Sequence, residues 1–453
     1  MKVFVTGATG FIGKEVLYLL RERGHSIIAL TRNAEKASIS LPVVCEIVEG
    51  NSQKSEEWIQ KLEGVDAVLH LAGENVAGRW NAHRKREIVR SRIESTRNLT
   101  NAFENLEQKP SVFVSASAIG YYGDRGNDEL NENSTLGTGF LAEVCQSWED
   151  EIFRAMDSGI RTVAMRIGVV LGHDGGALKM MLPPFRLGLG GKLGSGHQWM
   201  SWVHLRDLAG MLVHALENNN VTGPINAVSP NPVTNRDFTQ KLADILSRPA
   251  IFPLPLAVLR MVFGEMSQIL IASQKTSAEK IRKAGYKFTY PNLSNALKVI
   301  CDRIGHELLM EQWVPTPIDR VFSFFSDAKN LAAITPPFLH FKILSQSDKK
   351  FCSGTIYTYS LKLHGVRFNW ESRIMDFQPN VRFSDEQIKG PYSIWHHTHQ
   401  FFEKEGGTVI RDRIVYKLPG WVPGDVMAHF FIRKDLESIF RYRRKKIKEL
   451  FGS

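Results

Sequence analysis

Long apolar runs are missing from this chain. No stretch reaches the roughly 18 consecutive apolar residues that a membrane-crossing helix needs, so no membrane span is expected. Cysteine is scarce too. Cys45, Cys145, Cys301 and Cys352 are the four in 453 residues, far apart and without metal-ligand spacing. That excludes a disulfide framework or a cysteine-zinc module and points to a reducing, cytoplasmic setting. The first residues enter a strand at once, which leaves no room for a leader segment. Acidic residues are outnumbered, 47 Asp and Glu against 57 Lys and Arg, for a net charge of +10. Much of the excess sits in residues 441–448, where Leu436, Ile439, Phe440, Ile447 and Leu450 fall at helical spacing. The basic side chains then read as the solvated faces of a packed terminal helix, and no nucleic-acid partner is expected.

What is present starts at the amino end, and the length suggests two or three units. Residues 2–5 read as a strand, and Gly7, Gly10 and Gly13 follow at G-x-x-G-x-x-G spacing. Residues 11–23 read as an amphipathic helix and residues 25–31 as a second strand. Gly7 permits the tight turn, Gly10 lets backbone approach a pyrophosphate, and Gly13 lets the helix lie on the strand. The helix start then faces the phosphates, with Thr9, Gly10, Phe11, Ile12 and Gly13 around them. The second strand ends in Thr31 and Arg32, with no acid before Glu35. A carboxylate there holds a ribose 2′-hydroxyl, whereas a hydroxyl and a guanidinium suit a 2′-phosphate. NADP(H) is therefore expected rather than NAD(H).

Residues 43–48 read as a third strand, 55–62 as a helix and 67–72 as the next parallel strand, which runs into Gly73 and Glu74. Such a turn lies where ligands of doubly wound sheets bind, so Leu71, Ala72, Gly73 and Glu74 are expected at the cofactor. A long helix over 83–105 carries Arg92, and a strand over 112–116 follows. Repeated βα units imply a parallel sheet with right-handed crossovers.

Gly7-x-x-Gly10-x-x-Gly13, Leu71-Ala-Gly73 and Ser115-Ala-Ser-Ala-Ile-Gly-Tyr-Tyr-Gly123 together resemble the extended short-chain dehydrogenase/reductase superfamily. Ala72-Gly-Glu-Asn75, Phe140-Leu-Ala-Glu-Val-Cys-Gln-Ser-Trp-Glu149, Arg166-Ile-Gly-Val-Val-Leu-Gly172 and Trp199-Met-Ser-Trp-Val-His204 are similar to its NAD(P)-dependent sugar-nucleotide epimerase-like branch. The resemblance covers residues 1–298. It implies an α/β Rossmann domain with a smaller substrate-side region near 175–200 and 225–297, residues 249–297 being a carboxyl-terminal module. It also implies a small-molecule substrate, with Ser115 and Arg166 near the cofactor and Ser117 orienting the reacting oxygen. The superfamily's Tyr-x-x-x-Lys helix is absent. Its slots fall on Phe140 or Leu141 and on Val144 or Cys145, leaving Tyr121 and Tyr122 as candidate proton donors. Asp207 is expected to head a helix over 208–217, with His204 as a core-facing histidine. The apolar stretch 258–273 suits a substrate lid or a homodimer surface.

From residue 304 the composition turns aromatic, and no glycine-rich βα turn recurs. A strand over 304–313, two short helices over 316–337, six strands between 341 and 417 and a helix over 426–451 resemble the START/Bet v 1-like, polyketide cyclase-like (SRPBCC) superfamily. This implies an α+β helix-grip domain over 304–453 with an apolar ligand cavity. Phe368, Trp370, Phe383, Trp395, Phe401 and Phe430 would line or fill it. His397 and His399 share a strand face while His396 points away. No acid or cysteine joins them at recognised spacing, so they read as surface or cavity-wall histidines and no metal is expected. The leading expectation is an NADP(H)-dependent oxidoreductase or epimerase-like protein with a fused hydrophobic-ligand domain. A non-catalytic NADP(H) redox sensor or ligand-carrying regulator is the alternative.

Overall fold

The computed structural model describes residues 1–41, 43–173, 175–301, 306–348, 351–363, 365–418 and 422–452, with backbone alone at 39, 40, 363 and 422–431. These divide into two compact units, residues 1–37 with 45–302, and residues 38–44 with 303–453.

The first unit is built on seven strands in the order Gly223–Ala227, Arg161–Ile167, Val112–Ala118, Ala67–His70, Lys2–Thr6, Ser26–Thr31 and Glu46–Glu49. Every pairing is parallel. Covered on both faces, the central strands are continuously apolar, as Val3, Phe4 and Val5 show. Helix Phe11–Glu22 buries Gly13, Val16, Leu17 and Leu20, a single stripe at helical spacing. The chain leaves Lys2–Thr6 toward one neighbour and later returns to the other side with Ala67–His70. Strand order therefore reverses between these two, which opens the crevice where such sheets bind ligands. A second cluster, including Leu178, Phe185, Trp202, Phe238 and Leu297, forms the smaller region beyond the strand ends.

Several local expectations shift. The third strand is Glu46–Glu49, and the expected helix over 55–62 is a tight 3₁₀ segment, Glu57–Leu62. The strand expected through residue 170 breaks at Gly168, whose added Cβ would fall 2.4 Å from the Ser201 carbonyl oxygen. Val169–Leu171 leaves the main sheet there and pairs with Trp202–His204. Asp207 does not head its helix. The helix is Leu205–Glu217, capped by His204, whose Nδ1 accepts from the Arg206 amide at 3.1 Å. Asp207 accepts instead from the amides of Thr289 and Tyr290 at 2.7 and 2.8 Å and from the Tyr286 hydroxyl at 3.1 Å. It thus ties residues 286–290 to the Rossmann layer, and burial raises its pKa.

The second unit is a seven-stranded antiparallel sheet in the order His306–Val314, Gly407–Lys417, Ile394–Lys404, Arg382–Lys389, Val366–Gln378, Ile356–Leu363 and Lys342–Gln346. His397, His399 and Phe401 are buried at alternate positions, the signature of one covered face. Helix Val422–Phe451 supplies that cover through Leu436, Phe440 and Ile447, joined by Phe322 and Phe325 from the short helix Ile318–Phe325. This is a helix-grip arrangement. The side chain of Phe430 lies outside the described residues.

Asp207→Ala removes three hydrogen-bond acceptances to a buried carboxylate. We expect the first unit to lose about 2–3 kcal/mol in urea unfolding, with proteolysis opening first at residues 286–290.

Candidate functional site

At the sheet's switch point, Gly7 has φ +72°, and an added Cβ would lie 2.6 Å from the Leu71 carbonyl. A Cβ on Gly13 would lie 2.3 Å from the Gly7 oxygen. Both positions therefore require glycine. Around Gly10 an added Cβ would meet the Gly7 oxygen alone, at 3.1 Å, so its outer side is open. Gly10 provides no side-chain cap, and the first amides of Phe11–Glu22 face outward with the positive end of the helix dipole. Thr9 is exposed beside them, and Ile12 is half-buried. Phe11 is spoken for differently. Its ring fills the bend at Gly172, Gly175 and Gly176, where added Cβ atoms would lie 2.5, 2.4 and 3.1 Å from ring carbons.

At the adenosine side, Arg32 is exposed and makes no ion pair among the described residues. Thr31 is half-buried beside it. Glu49, paired with Thr31 on the next strand, turns its carboxylate onto the Ala34 amide at 2.8 Å. A cation is thus presented where the neighbouring acid is already engaged, and these residues fit a 2′-phosphate.

The third wall follows Ala67–His70. His70 contacts Thr6 Oγ1 at 2.6 Å and Ser95 Oγ at 3.2 Å. Burial, with Arg92 nearby, lowers its pKa to about 3, so it is a neutral structural group. Thr6 Oγ1 also accepts from the Ala72 amide at 3.2 Å, fixing the exit of Leu71 and Ala72. Arg92 sits over Gly73, donates to the Glu74 carbonyl at 3.1 Å, and has its guanidinium 5.1 Å from the Trp148 ring. Burial lowers its pKa. The Glu74 carboxylate pairs with Arg84 at 2.7 Å.

Beyond this wall lies a buried polar network. Ser117 Oγ donates to Glu149 Oε1 at 2.6 Å. Arg166 grips the same carboxylate with both arms, Nε to Oε1 at 2.8 Å and Nη2 to Oε2 at 2.7 Å. Its Nη1 donates to the Tyr122 hydroxyl at 2.9 Å, which donates on to Asn226 Oδ1 at 2.7 Å. Burial raises the Tyr122 pKa to about 12. Tyr122 is therefore a wall residue with its hydroxyl fully engaged. Tyr121 differs: it is half-buried, and the Arg166 guanidinium lies 3.6 Å from its ring centre. Ser115 is buried, and its hydroxyl donates to the Ala116 carbonyl at 3.2 Å. Arg166, read as a cofactor contact, faces this network.

Both candidate pairs of Tyr-x-x-x-Lys slots lie on helix Phe140–Phe153. Leu141 and Cys145, one turn apart on helix Phe140–Phe153, both face Gly120, whose added Cβ would lie 3.5 and 3.6 Å from them. Phe140 and Val144 pack toward Trp80 and Met266 instead. Burial pushes the Cys145 thiol up to about 12. Sequence reasoning missed Glu149, although it stands one turn beyond Cys145 on this inward stripe.

The second unit holds a cavity of about 440 Å³, lined among others by Phe351, Leu361, Trp370, Phe383, Trp395 and Ile439. Phe368 also lines it, whereas Phe401 lies in the packed core. His397, His399 and Asp385 form its polar end.

Glu149→Gln leaves the buried Arg166 cation without its counter-charge. We expect a loss of about 3–5 kcal/mol by chemical denaturation, largely restored in the double variant Glu149→Leu/Arg166→Met.

Residues 3–227 match the NAD dependent epimerase/dehydratase family, residues 254–300 a domain of unknown function, and residues 314–440 the family of polyketide cyclase / dehydrase and lipid transport proteins. The human epimerase family protein SDR39U1 is 39% identical over 305 residues, 66% of this chain and 99% of that protein. Epimerase family protein YfhF of Bacillus subtilis is 36% identical over 306 residues, 67% of this chain and 99% of its own length. The crystal structure of human SDR39U1 with NADPH superposes with a TM-score of 0.61 at 37% identity, covering 67% of this chain and all of that one. The chain therefore belongs to the epimerase family, and carries a polyketide cyclase-like domain behind its Rossmann unit.

Proposed function

We propose that the first unit is an NADP(H)-dependent oxidoreductase or epimerase-like module acting on a hydroxyl-bearing carbon of a small molecule. The observation that carries it is the Gly7–Gly13 cradle opening onto an exposed Arg32 that no described acid pairs. The human relative solved with NADPH supports the phosphorylated cofactor. When bound, NADP(H) supplies or accepts the hydride. The chain's own groups do the rest. Backbone amides at Phe11 and Ile12 hold the diphosphate, the Gly10 amide being engaged by the Gly7 carbonyl at 3.0 Å, and Arg32 takes the 2′-phosphate. The Ser117 hydroxyl already donates its hydrogen bond to Glu149, so its free lone pair accepts a hydrogen bond from a substrate hydroxyl. That arrangement orients an alcohol better than a ketone. Tyr121, whose hydroxyl makes no hydrogen bond among the described residues, is the proton donor for an alkoxide formed in the reductive direction.

A second reading rests on Leu141 and Cys145. With an apolar group and a buried neutral thiol in the acid–base slots, the unit serves as a non-catalytic NADP(H) sensor. One series separates the two. Calorimetric titration should show NADPH bound more tightly than NADH, and Arg32→Ala should weaken NADPH by about ten- to a hundredfold while leaving NADH unchanged. Equal affinity for both dinucleotides in the parent chain removes the NADP(H) assignment. Nicotinamide absorbance is then followed across a panel of alcohols and carbonyls. Turnover lost in Tyr121→Phe, with NADPH affinity intact, supports the enzyme. Tight NADPH binding without turnover on any panel member supports the sensor.

For the second unit, we propose an apolar or aromatic small molecule in the 440 Å³ cavity. Leu361→Trp places an indole in that space. It should abolish binding of an apolar fluorescent probe while the folded circular dichroism is kept. Undiminished probe binding would remove the cavity from the proposal.

A further inference from the structure

Three neighbouring strands of the second unit bring four side chains together at the polar end of the cavity. Asp385 lies directly opposite His397, and His399 directly opposite Asp412. His397 and His399 are each 5% exposed and Asp412 is 7% exposed. Asp412 Oδ1 stands 2.6 Å from His399 Nδ1 and 3.0 Å from His397 Nε2. The carboxylate holds His397 Nε2 by a hydrogen bond, which sets that ring's proton on its side, whereas His399 Nδ1 touches the same oxygen outside hydrogen-bond geometry. Burial lowers the His399 pKa to about 3, keeping that ring neutral. Burial opposes ionisation of Asp412, but Arg443 and the two histidines hold its carboxyl well below the usual range.

The consequence falls on the other side of the rings. His397 Nδ1 and His399 Nε2 face Asp385 Oδ1 at 3.5 and 3.9 Å. All three atoms lie within 4.8 Å of one another. Two imidazole nitrogens and a carboxylate oxygen thus converge on one point. Ligand atoms about 2.0–2.1 Å from a tetrahedral ion are roughly 3.4 Å apart, close to these separations. Two imidazoles and one carboxylate are the donor set of ions between the hard and soft extremes, and they leave coordination positions open. Those positions face the cavity, since Asp385, His397 and His399 line it and Asp412 stands behind.

We propose that Asp385, His397 and His399 bind one divalent first-row transition metal ion at the polar end of the cavity, with Asp412 orienting both imidazoles from behind. Besides Asp435, which also lines the cavity, the charged group at this end is Arg443. Its guanidinium lies 5.2 and 5.4 Å from the rings of Phe325 and Phe440, and its Nε is buried without a hydrogen-bond partner. Its charge offsets that of Asp412, so the Asp385 carboxylate is left as the counter-charge for a dication. Trp395 Nε1 donates to the other oxygen of Asp385 at 3.3 Å, leaving Oδ1 for the ion. The competing occupant is a proton shared between Asp385 and the rings, which burial of Asp385 favours.

The test uses the full chain without a histidine tag, stripped with chelator and titrated with Co²⁺. Expected are one equivalent bound per chain, a visible ligand-field spectrum, and displacement by Zn²⁺. Asp385→Asn, His397→Gln and His399→Gln should each abolish the spectrum. Asp412→Asn should weaken binding by about ten- to a hundredfold, as loss of a ligand-orienting carboxylate does. NADPH binding by the first unit should be unchanged in all four. No saturable Co²⁺ uptake up to millimolar concentration, or uptake unaltered in the variants, overturns the proposal in favour of a shared proton only. Should the variants unfold, anomalous diffraction from Co²⁺-soaked crystals of the parent chain decides. A peak between Asp385 and the two rings supports the site, and no peak there overturns it.

Discussion

A guanidinium buried at the end of a parallel strand, one in from the sheet edge, needs a counter-charge, and Glu149 meets Arg166 with both carboxylate oxygens. Taking two charges out of water is expensive, and the attraction between them repays that only when the remaining polar atoms are also satisfied. The neighbours do this. Ser117 adds a third donor to Glu149, and Tyr122 takes the spare arm of Arg166 and passes its own proton to Asn226. Strand ends at residues 117, 166 and 226 are thereby locked to helix Phe140–Phe153 beneath the crevice. The same lock sets which hydroxyls remain available. It consumes Tyr122, turns Ser117 into an acceptor, and leaves the Tyr121 ring stacked on Arg166.

The opening turn was legible because its constraints are local. Gly7, Gly10 and Gly13 answer to backbone atoms within a few residues or on the adjoining strand, and glycine spacing records this directly. The bend at Gly172, Gly175 and Gly176 is illegible for the opposite reason. Its glycines make room for Phe11, more than 160 residues earlier. Glu149 was hidden among Asp150 and Glu151. Helical phase relative to Cys145 favours position 149, but which acid is buried depends on where the helix lies against the strand ends. Asp207 shows the same limit, since its partners at 286–290 are distant in sequence.

In the second unit the aromatic density and strand pattern announced the sheet and its covering helix. The polar end of the cavity was not visible. His397 and His399 were placed on one face correctly by alternation, but Asp385 and Asp412 join them through the register of two separate strand pairs. Register is set by turns and by burial of whole faces, and a shift of one residue would send every side chain to the opposite face. Linear spacing rules for metal ligands assume donors on one short segment. A donor set split between two strands, with its orienting acid on a third, escapes them.

The missing Tyr-x-x-x-Lys pair has a physical counterpart in this network. Cys145 is one of the two residues, with Val144, on which the lysine slot falls, and its thiol, pushed up by burial and by Glu149, also feels the opposing charges of Arg92 and Arg166. A lysine there would add a third cation to a space where burial already lowers the Arg92 pKa, with the Glu149 carboxylate bound to Arg166. Like charges at low dielectric repel by far more than they do in water. This chain has a buried arginine on the strand and no lysine on helix Phe140–Phe153. A cation remains beside a tyrosine, but the pair is now Arg166 with Tyr121 on the strand side of the crevice. Where the family's ordinary acid is absent, the proposed proton path follows the charge that replaced it.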